Sequence, residues 1–301
     1  MRIRDFILAI LVVAVWGFNF VVIKIGLHEV PPLLLCAIRF FLTSIPAIFF
    51  FKRPAIPVRI LILYGLTMFA LQFGFLFAGI YAGVTPGLAA LIVQIQVFST
   101  VILAALFLGE KINQWQILGM LVAFAGICWV GVKLGGTVSL LGFIFLIAAG
   151  TAWGVGNLIA KKIRSVNMFA LVIWGNFVAF PPTFISAFLF EDQATMLASL
   201  QHLNLLTIAA ILYLVYFSTM FGYGVWCWLL KHHPVATVAP YALLVPVLGL
   251  TSSAIVLGEP LQSWKLFAGM LVISGLCINF FGSRWLIKYK KQNEKITFES
   301  A

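Results

Sequence analysis

Leu108-Gly109-Glu110-Lys111-Ile112-Asn113-Gln114-Trp115 is echoed 149 positions later by Leu257-Gly258-Glu259-Pro260-Leu261-Gln262-Ser263-Trp264. Each copy follows one apolar run and precedes another that contains glycine. A polar corner with glycine between two apolar runs predicts two helices joined by a tight turn. Because this unit occurs twice, we expect the chain to consist of two related halves.

The composition places the chain in a membrane. Hydrophobic residues make up 63% of the 301 positions and charged residues only 9%, which is too few for a water-soluble surface. About 20 apolar residues are needed for a helix that crosses a bilayer. Polar or Pro/Gly breaks divide the chain into ten such spans, near residues 6–26, 33–51, 60–80, 86–108, 114–132, 138–160, 168–190, 205–230, 236–257 and 263–283. The predicted fold class is an all-α integral membrane protein with ten transmembrane helices.

The repeat extends beyond the corners. Trp16-Gly17 and Asn19 are answered by Trp153-Gly154 and Asn157, and Phe73-Gly74-Phe75 is answered by Phe221-Gly222-Tyr223. Five spans in each half is an odd number, so the second half must enter the membrane from the opposite face. The sequence therefore predicts two inverted five-helix repeats, residues 1–135 and 136–285, followed by a basic cytoplasmic tail at 286–301. Inverted repeats are typical of secondary transporters that bind substrate near the midplane.

Basic residues set the predicted orientation. Of the 19 Lys and Arg residues, fifteen fall on the side of the two termini, whereas Lys24, Lys133 and Lys265 fall on the other and Arg39 lies within a span. This asymmetry predicts a multi-pass protein of the cell inner membrane with both termini in the cytoplasm. The net charge of +11 then reflects topology and lipid headgroup contact, and no nucleic-acid binding is expected.

Several of these motifs together resemble one known family. Val15-Trp16-Gly17-Phe18-Asn19-Phe20, Pro31-Pro32 with Arg39, and the two Leu-Gly-Glu corners are similar to the EamA family of the drug/metabolite transporter superfamily, and the similarity covers nearly the whole chain. The resemblance implies a ten-span fold and a secondary transporter that exports amino-acid-like metabolites such as cysteine or O-acetylserine. The family often has a proline midway along the span before each corner. This chain keeps Pro246, a predicted hinge, but has Val97 in the first half.

Amides inside spans are the first candidate substrate ligands. Asn19 and Asn157 occupy related positions beside Trp16 and Trp153, so their amides can bind a carboxylate or an ammonium group between indole walls. The alternative is a structural hydrogen bond between helices.

Three glutamines add amides at mid-depth. Gln72 lies in the third span, and Gln94 and Gln96 lie in the fourth. In a regular helix Gln94 and Gln96 diverge by about 200°, so only one of them is expected to face a cavity. Gln94 lies nearer the middle of its span and is favoured, with packing against a neighbouring helix as the alternative.

Arg39 is the one cation well inside a span, and burying it unpaired is costly. It is a candidate to bind a substrate carboxylate. The alternative is a structural pairing with helix-end carbonyls or with Glu259.

Tyrosines in the second half are further candidates. The hydroxyl of Tyr241 and the carbonyl of Ala242, which Pro246 would leave unpaired, form a predicted ammonium site. Tyr223 offers a hydroxyl and an aromatic face. Both tyrosines have the alternative of being ordinary core or interface aromatics.

The two corner carboxylates fall at opposite membrane faces in this topology, so Glu110 and Glu259 cannot share one pocket. We expect each to cap the helix that follows it.

No cofactor or metal is predicted, since the four cysteines lack metal-ligand spacing and no P-loop occurs. The expected partners are a small zwitterionic molecule and the lipid bilayer, with a homodimer left open. Energy coupling also stays open, because no acidic residue falls at mid-span. The alternative functions are export of other metabolites or cationic drugs and, less favoured, an integral-membrane lipid enzyme.

Overall fold

The structure is a computed structural model that describes residues 3–109, 112–132, 138–163, 166–232, 241–242 and 244–282. The predicted tail at 286–301 and the corner residues Glu110 and Lys111 lie outside these ranges. Helices account for nearly all of the described chain, as the apolar composition requires of a protein that must satisfy its backbone inside lipid.

The helices follow the breaks in the sequence. In the first half they are α1 (Ile3–Gly26), α2 (Pro32–Ile48), α3 (Val58–Gly65), α4 (Gln72–Tyr81), α5 (Pro86–Ile92), α6 (Ile95–Leu108) and α7 (Gln114–Gly131). In the second half they are α8 (Leu140–Lys162), α9 (Met168–Phe190), α10 (Gln193–Gln201), α11 (Leu205–Leu212), α12 (Gly222–His232), α13 (Leu244–Leu257) and α14 (Ser263–Cys277). Three π-helical segments adjoin them: Leu66–Leu71, Tyr213–Phe221 and Ile278–Gly282.

Seven helices of the described chain are long and apolar enough to cross a membrane. They are Ile3–Gly26, Val58–Tyr81, Pro86–Phe107, Gln114–Gly131, Leu140–Ala160, Met168–Phe190 and Leu205–Trp226. The shorter apolar helices α2, α13 and α14 fall where the second, ninth and tenth spans are predicted. The protein is therefore an all-helical, multi-pass membrane protein, while the count of ten spans stays a prediction.

The echoed corners owe their glycine to backbone geometry. Gly109, which ends α6, has φ +67°, and Gly258, which follows α13, has φ +65°. A glycine in the left-handed region ends a helix without the steric cost of a Cβ atom. The repeated Leu-Gly-Glu motif is thus a repeated helix stop.

The predicted capping role of the corner carboxylates is wrong for Glu259. Its carboxylate lies 4.0 Å from the Nζ atom of Lys265, and the first residue before α14, Gln262, makes no side-chain capping bond. At the other corner, Asn113 caps α7 by accepting a hydrogen bond from the N–H of Gln116, whose side chain bonds back to the Asn113 N–H. This reciprocal capping box opens α7, while the predicted role of Glu110 lies outside the described residues.

The two halves interlock reciprocally. Helix α1 packs against α11, α12 and α13 of the second half, and α8 packs against α4, α5 and α6 of the first. Helix α2 packs against α9, α7 against α14, and α5 against α13. Almost every extensive helix contact thus joins one half to the other, so any cavity between helices is lined by both.

Glu191 joins the halves at the face opposite the N-terminus. Its carboxylate accepts hydrogen bonds from the backbone N–H groups of Leu33 at 2.6 Å and Leu34 at 3.0 Å, which open α2. Partial burial raises the pKa of this carboxyl, and the two backbone bonds oppose the rise. The contact is an anion placed at a helix N-terminus, although it comes from a distant helix.

The short helix α10, which lies between the predicted seventh and eighth spans, is not predicted from the sequence. Asp192 opens it by accepting hydrogen bonds from the N–H and the hydroxyl of Thr195, both at 2.7 Å. These bonds, the hydroxyl first, lower the pKa of the Asp192 carboxyl. Nearby, Glu29 accepts hydrogen bonds from Asn204 and from the Thr207 hydroxyl.

Candidate functional site

A central cavity of about 310 Å³ lies between the halves. It is bounded by α1, α3, the π-helical segment Leu66–Leu71, α4, the joint between α5 and α6, α8, α9, the π-helical segment Tyr213–Phe221, α12, Ala242 and α13. Aromatic and amide side chains dominate its wall, and none of the described residues that line it is charged. The polar and large aromatic lining residues are Trp16, Asn19, Phe20, Tyr64, Gln72, Phe73, Gln94, Gln96, Trp153, Asn157, Ser218, Tyr223 and Trp226.

Seven of the nine predicted substrate-binding residues share this cavity. They are Trp16, Asn19, Gln72, Gln94, Trp153, Asn157 and Tyr223. The other two, Arg39 and Tyr241, do not belong to its wall. Residues separated by up to about 200 positions in the chain therefore meet because the halves interlock.

Asn19 and Gln72 supply hydrogen-bond acceptors. Both side chains are buried, with 6% and 2% of their surface exposed. The Oδ1 atom of Asn19 and the Oε1 atom of Gln72 have no hydrogen-bond partner among the described residues. Buried carbonyl oxygens normally find a donor. Because both residues line the uncharged cavity, their unpaired oxygens are candidates to accept hydrogen bonds from a bound ammonium group.

Asn157 is engaged differently from its counterpart Asn19. Its Nδ2 atom donates to the Oε1 atom of Gln96 at 3.1 Å and to the Oγ1 atom of Thr100 at 3.2 Å. The Thr100 hydroxyl in turn donates to the backbone carbonyl of Gln96 at 2.7 Å. Asn157 therefore makes a structural hydrogen bond between helices, which is the alternative to substrate binding. Its side chain also borders the cavity.

The expectation that only one of Gln94 and Gln96 faces a cavity is wrong, because both line it. The divergence of about 200° holds for a regular helix. Here the helix is interrupted: α5 ends at Ile92, Val93 and Gln94 form a turn, and α6 begins at Ile95. The turn redirects the chain, so two residues that a straight helix would separate point into one space.

Two glycines of α8 let it approach this interruption. A Cβ atom on Gly150 would lie 2.4 Å from the Cγ2 atom of Ile95, and one on Gly154 would lie 2.6 Å from the Cβ atom of Ser99. The Gly-x-x-x-Gly spacing thus serves contact within the chain. It also holds Trp153, between the two glycines, at the cavity wall.

Trp16 is the centre of an aromatic cluster on the opposite wall. Its ring centroid lies 5.3 Å from that of Tyr223 and 5.3 Å from that of Trp226. Its Nε1 atom donates a hydrogen bond to the backbone carbonyl of Ser218 at 3.1 Å. A Cβ atom on Gly222 would lie only 2.5 Å from that Nε1 atom, so glycine at this position makes room for the indole.

Two of the π-helical segments lie at equivalent places in the halves. The shift of 148 positions that carries Phe73 onto Phe221 also carries Leu66–Leu71 to positions 214–219, inside Tyr213–Phe221. Widened turns of this kind are rare and occur often at functional sites. Both segments contribute to the cavity, through Met68 from the first and Ser218 from the second.

Arg39 is buried beside the cavity, with 1% of its surface exposed. Its Nε and Nη2 atoms donate to the Oγ1 atom of Thr219 at 3.1 and 2.9 Å, and Nη2 lies 3.5 Å from the Oγ atom of Ser218. The predicted alternative of a pairing with Glu259 is wrong, since Glu259 faces Lys265. Both partners of Arg39 lie in the second π-helical segment.

Tyr241 is placed differently from the prediction, whereas the hinge role of Pro246 stays a prediction. The Tyr241 ring packs edge-on against Phe6, 5.8 Å between centroids, although the adjacent Ala242 does line the cavity. As described, α13 begins at Leu244, which puts Pro246 in its first turn. Leu243, which precedes this helix, lies outside the described residues, so the release of the Ala242 carbonyl by Pro246 stays a prediction.

The cavity lies nearer one face of the bundle. Its residues on α8 are Trp153, Asn157 and Ala160, all in the second half of that helix, and Met168 is the first residue of α9. Its residues on α1, Trp16, Asn19 and Phe20, lie just past the middle of that helix, so the cavity extends from mid-depth towards the end of α8. Side chains near the other face are packed and buried: Val30, Leu34, Ile80, Val84 and Leu88.

Gln96, Ser218 and Trp226 are cavity residues that the sequence does not single out as ligands. The deciding features are the interruption at Val93 and the π-helical segment, and neither has a hydropathy signal. Trp226 does carry a weak signal, since it follows the echoed Phe221-Gly222-Tyr223 by one helical turn.

A helical membrane bundle whose halves enclose an uncharged cavity is the architecture expected of a polytopic transporter. The model of the EamA-like transporter family matches this chain twice, at residues 4–132 and 140–281, so the protein belongs to that family. The protein is thus embedded in a membrane and acts on a small molecule, and membership indicates a transporter rather than an enzyme.

Curated relatives agree with this class. A probable amino-acid metabolite efflux pump of Escherichia coli K12 is 42% identical over 288 residues, covering 94% of this chain and 96% of the relative. A protein of the same description from Salmonella typhimurium LT2 is 42% identical over 287 residues, covering 93% and 96%. A solved crystal structure that is 17% identical aligns with TM-score 0.67 over 95% of this chain and 99% of the other, which supports the fold alone.

Proposed function

We propose that the protein is a secondary transporter that exports small amino-acid-like metabolites, such as cysteine or O-acetylserine, across the cell inner membrane. The carrying observation is the uncharged cavity between the halves, which is lined by Asn19 and Gln72, whose buried carbonyl oxygens have no partner among the described residues. An uncharged wall with a few polar groups suits a net-neutral molecule. The efflux-pump relatives at 42% identity support the same substrate class.

The mechanism that fits best is alternating access between two inverted five-helix repeats. Two matches of one family model support the duplication, and the reciprocal packing of α1 and α8 supports equivalent halves. The proposed repeats are residues 1–135 and 136–285, with 286–301 as a basic tail. In such transporters one half rocks against the other around a fixed midplane site.

The orientation follows from the distribution of Lys and Arg, which favours cytoplasmic termini. The cavity extends towards the end of α8, which the predicted topology places on the cytoplasmic side, so it would open inward to load substrate, while the packed opposite face would hold the exit closed. A reporter that is active only in the cytoplasm can be fused to the C-terminus. Absence of reporter activity would contradict this orientation. A homodimer is a further proposal, which the mass of the purified protein in detergent tests.

The function is tested by counterflow in proteoliposomes against amino acids, sulfur metabolites and cationic drugs. Cysteine or O-acetylserine should drive uptake of its labelled form. Preference for cationic drugs would favour the alternative of a drug exporter, and a panel in which no compound drives counterflow would overturn the proposal.

The site is tested with the double variant Asn19→Leu/Asn157→Leu. Thr151→Leu is the matched control, because Thr151 lies on the same helix as Asn157 but is exposed on the outside of the bundle. Insertion and monodispersity are checked first by gel filtration. Loss of counterflow in the double variant alone is expected, whereas unchanged counterflow would sink the site assignment.

A further inference from the structure

We infer that Arg39 is the residue that makes the cavity select substrates with a carboxylate, acting from behind the wall through Ser218 and Phe73. The inference rests on the proposed function and adds the substrate class and a specificity-determining residue. Arg39 lies behind the cavity wall, and no charged residue of the described chain lines the cavity itself.

Arg39 has no counter-ion in the described chain. The ion pairs found there within 4.0 Å join Arg4 to Asp5 and Lys265 to Glu259. A buried guanidinium without a carboxylate is costly inside a membrane. The Nη1 atom, moreover, has no hydrogen-bond partner among the described residues. The group therefore retains a positive charge that no carboxylate of the described chain neutralises, together with an unused donor.

The guanidinium is one side chain away from the cavity. Its Cζ atom lies 3.9 Å from the centroid of the Phe73 ring, and its Nη2 atom lies 3.5 Å from the Oγ atom of Ser218. Phe73 and Ser218 both line the cavity. A carboxylate that rests against either residue feels the charge through a medium of low dielectric constant, where attraction is stronger than in water.

The hydroxyl groups around Arg39 are oriented for this role. Thr219 donates its proton to the carbonyl of Leu214 at 2.8 Å, so its oxygen is free to accept from the guanidinium. The Oγ atom of Ser218 likewise accepts from Arg39, which leaves the Ser218 proton available to a carboxylate in the cavity. Thr219 thus positions the guanidinium of Arg39, and the Ser218 hydroxyl, which accepts from it, can donate a hydrogen bond to the carboxylate.

The two poles of the cavity now match a zwitterion. Asn19 and Gln72 offer oxygens to an ammonium group, while Ser218 and Arg39 favour a carboxylate. A molecule with only the ammonium group satisfies one pole and meets an unfavourable potential at the other. The chain therefore binds amino acids in preference to amines of the same shape.

The test uses the purified full chain in detergent and the fluorescence of the cavity tryptophans. Titration with cysteine and with cysteinamide, which lacks the carboxylate, gives two Kd values and their ratio. The wild type should bind cysteine roughly tenfold or more tightly, as expected for one buried charge at short range. In Arg39→Gln the ratio should fall to about 1, in Arg39→Lys it should be intermediate, and in Arg59→Gln, an exposed arginine, it should be unchanged.

If Arg39→Gln fails to fold, Ser218→Asp is the second test variant. Its carboxylate beside Arg39 neutralises the guanidinium, so the preference for cysteine over cysteinamide should likewise disappear. An Arg39→Gln or Ser218→Asp protein with the wild-type ratio would overturn the inference. Wild-type protein that binds both compounds equally would overturn it as well, while leaving transport intact. If no amino acid or sulfur metabolite of the counterflow panel is transported, the proposed function itself fails.

Discussion

The indole Nε1 atom of Trp16 donates a hydrogen bond to the backbone carbonyl of Ser218, 3.1 Å away and on the other half of the chain. Ser218 lies in the π-helical segment Tyr213–Phe221, where a widened turn changes the partners of the helix carbonyls. One side chain of α1 thus fastens the segment that also carries both partners of Arg39.

Replacement of Trp16 by phenylalanine removes this bond and keeps an aromatic ring. We expect a loss of about 1 kcal/mol in stability, the usual worth of one such hydrogen bond. Counterflow should fall several-fold, because the segment that holds Ser218, and that leads directly into α12 with Tyr223, is no longer fixed. The matched control is Trp129→Phe, where a half-exposed indole packs on Phe267 away from the cavity. Equal counterflow in the two variants would contradict a role for the Trp16 bond.

The substitution Gly222→Ala tests the same contact from the other side. Its Cβ atom would lie 2.5 Å from the Nε1 atom of Trp16, so the indole must move out of its bond to Ser218. We expect a lower melting temperature, weaker substrate binding and altered tryptophan fluorescence. Gly131→Ala is the control: no atom lies within 4 Å of the added group, and alanine is the better helix former. A Gly222→Ala protein that behaves like Gly131→Ala would show that the indole adapts without cost.

Replacing either of the two corner glycines should lower stability through backbone conformation alone. Gly109 and Gly258 have positive φ values, and a Cβ atom on either would meet nothing within 4 Å. Alanine at Gly258 should therefore cost about 1 kcal/mol, the price of a left-handed conformation for a residue with a side chain. Asparagine, which tolerates that conformation better, should cost less. Thermal unfolding in detergent measures both. Alanine as stable as glycine would mean that the corner can adopt another turn.

Much of the helix layout is predictable because hydropathy and glycine placement act locally. The echoed corner marks helix ends from the sequence alone, since a left-handed glycine stops a helix wherever it occurs. Most cavity residues are predictable for a related reason: a polar group inside a span needs a partner, and the echo pairs Trp16 and Asn19 with Trp153 and Asn157.

The sequence-based predictions fail where the conformation of one helix depends on contacts with another. Gln96 faces the cavity because α5 and α6 are separate helices, and α8 packs at that joint through Gly150. The partners of Arg39 belong to a π-helical segment of the other half, which periodicity does not reveal. Glu191 caps α2 from 157 or more positions away, so no local capping pattern marks it.

Glu191, which lies outside the membrane spans, makes the stability of the protein depend on pH. Burial raises its pKa above the ordinary 4.5, with the N–H groups of Leu33 and Leu34 opposing the shift. An acid whose pKa is higher in the folded state favours folding in its protonated form. That contribution is complete below pH 4.5 and is lost as the pH rises through the higher folded pKa. The wild type should therefore gain stability from Glu191 as the pH falls towards 4.5 from neutrality.

Glu191→Gln removes the titration, so the melting temperature of the wild type minus that of the variant should rise as the pH is lowered through this window. Asp192→Asn is the neighbouring control. Its hydrogen bonds to Thr195 lower the Asp192 pKa below 3.8, so its contribution is lost only under more acidic conditions, and asparagine preserves the cap. Because the two carboxyls shift in opposite directions, only the Glu191 difference curve should slope above pH 4.5. A flat Glu191 curve there would mean that the two backbone bonds offset the whole cost of burying the carboxylate.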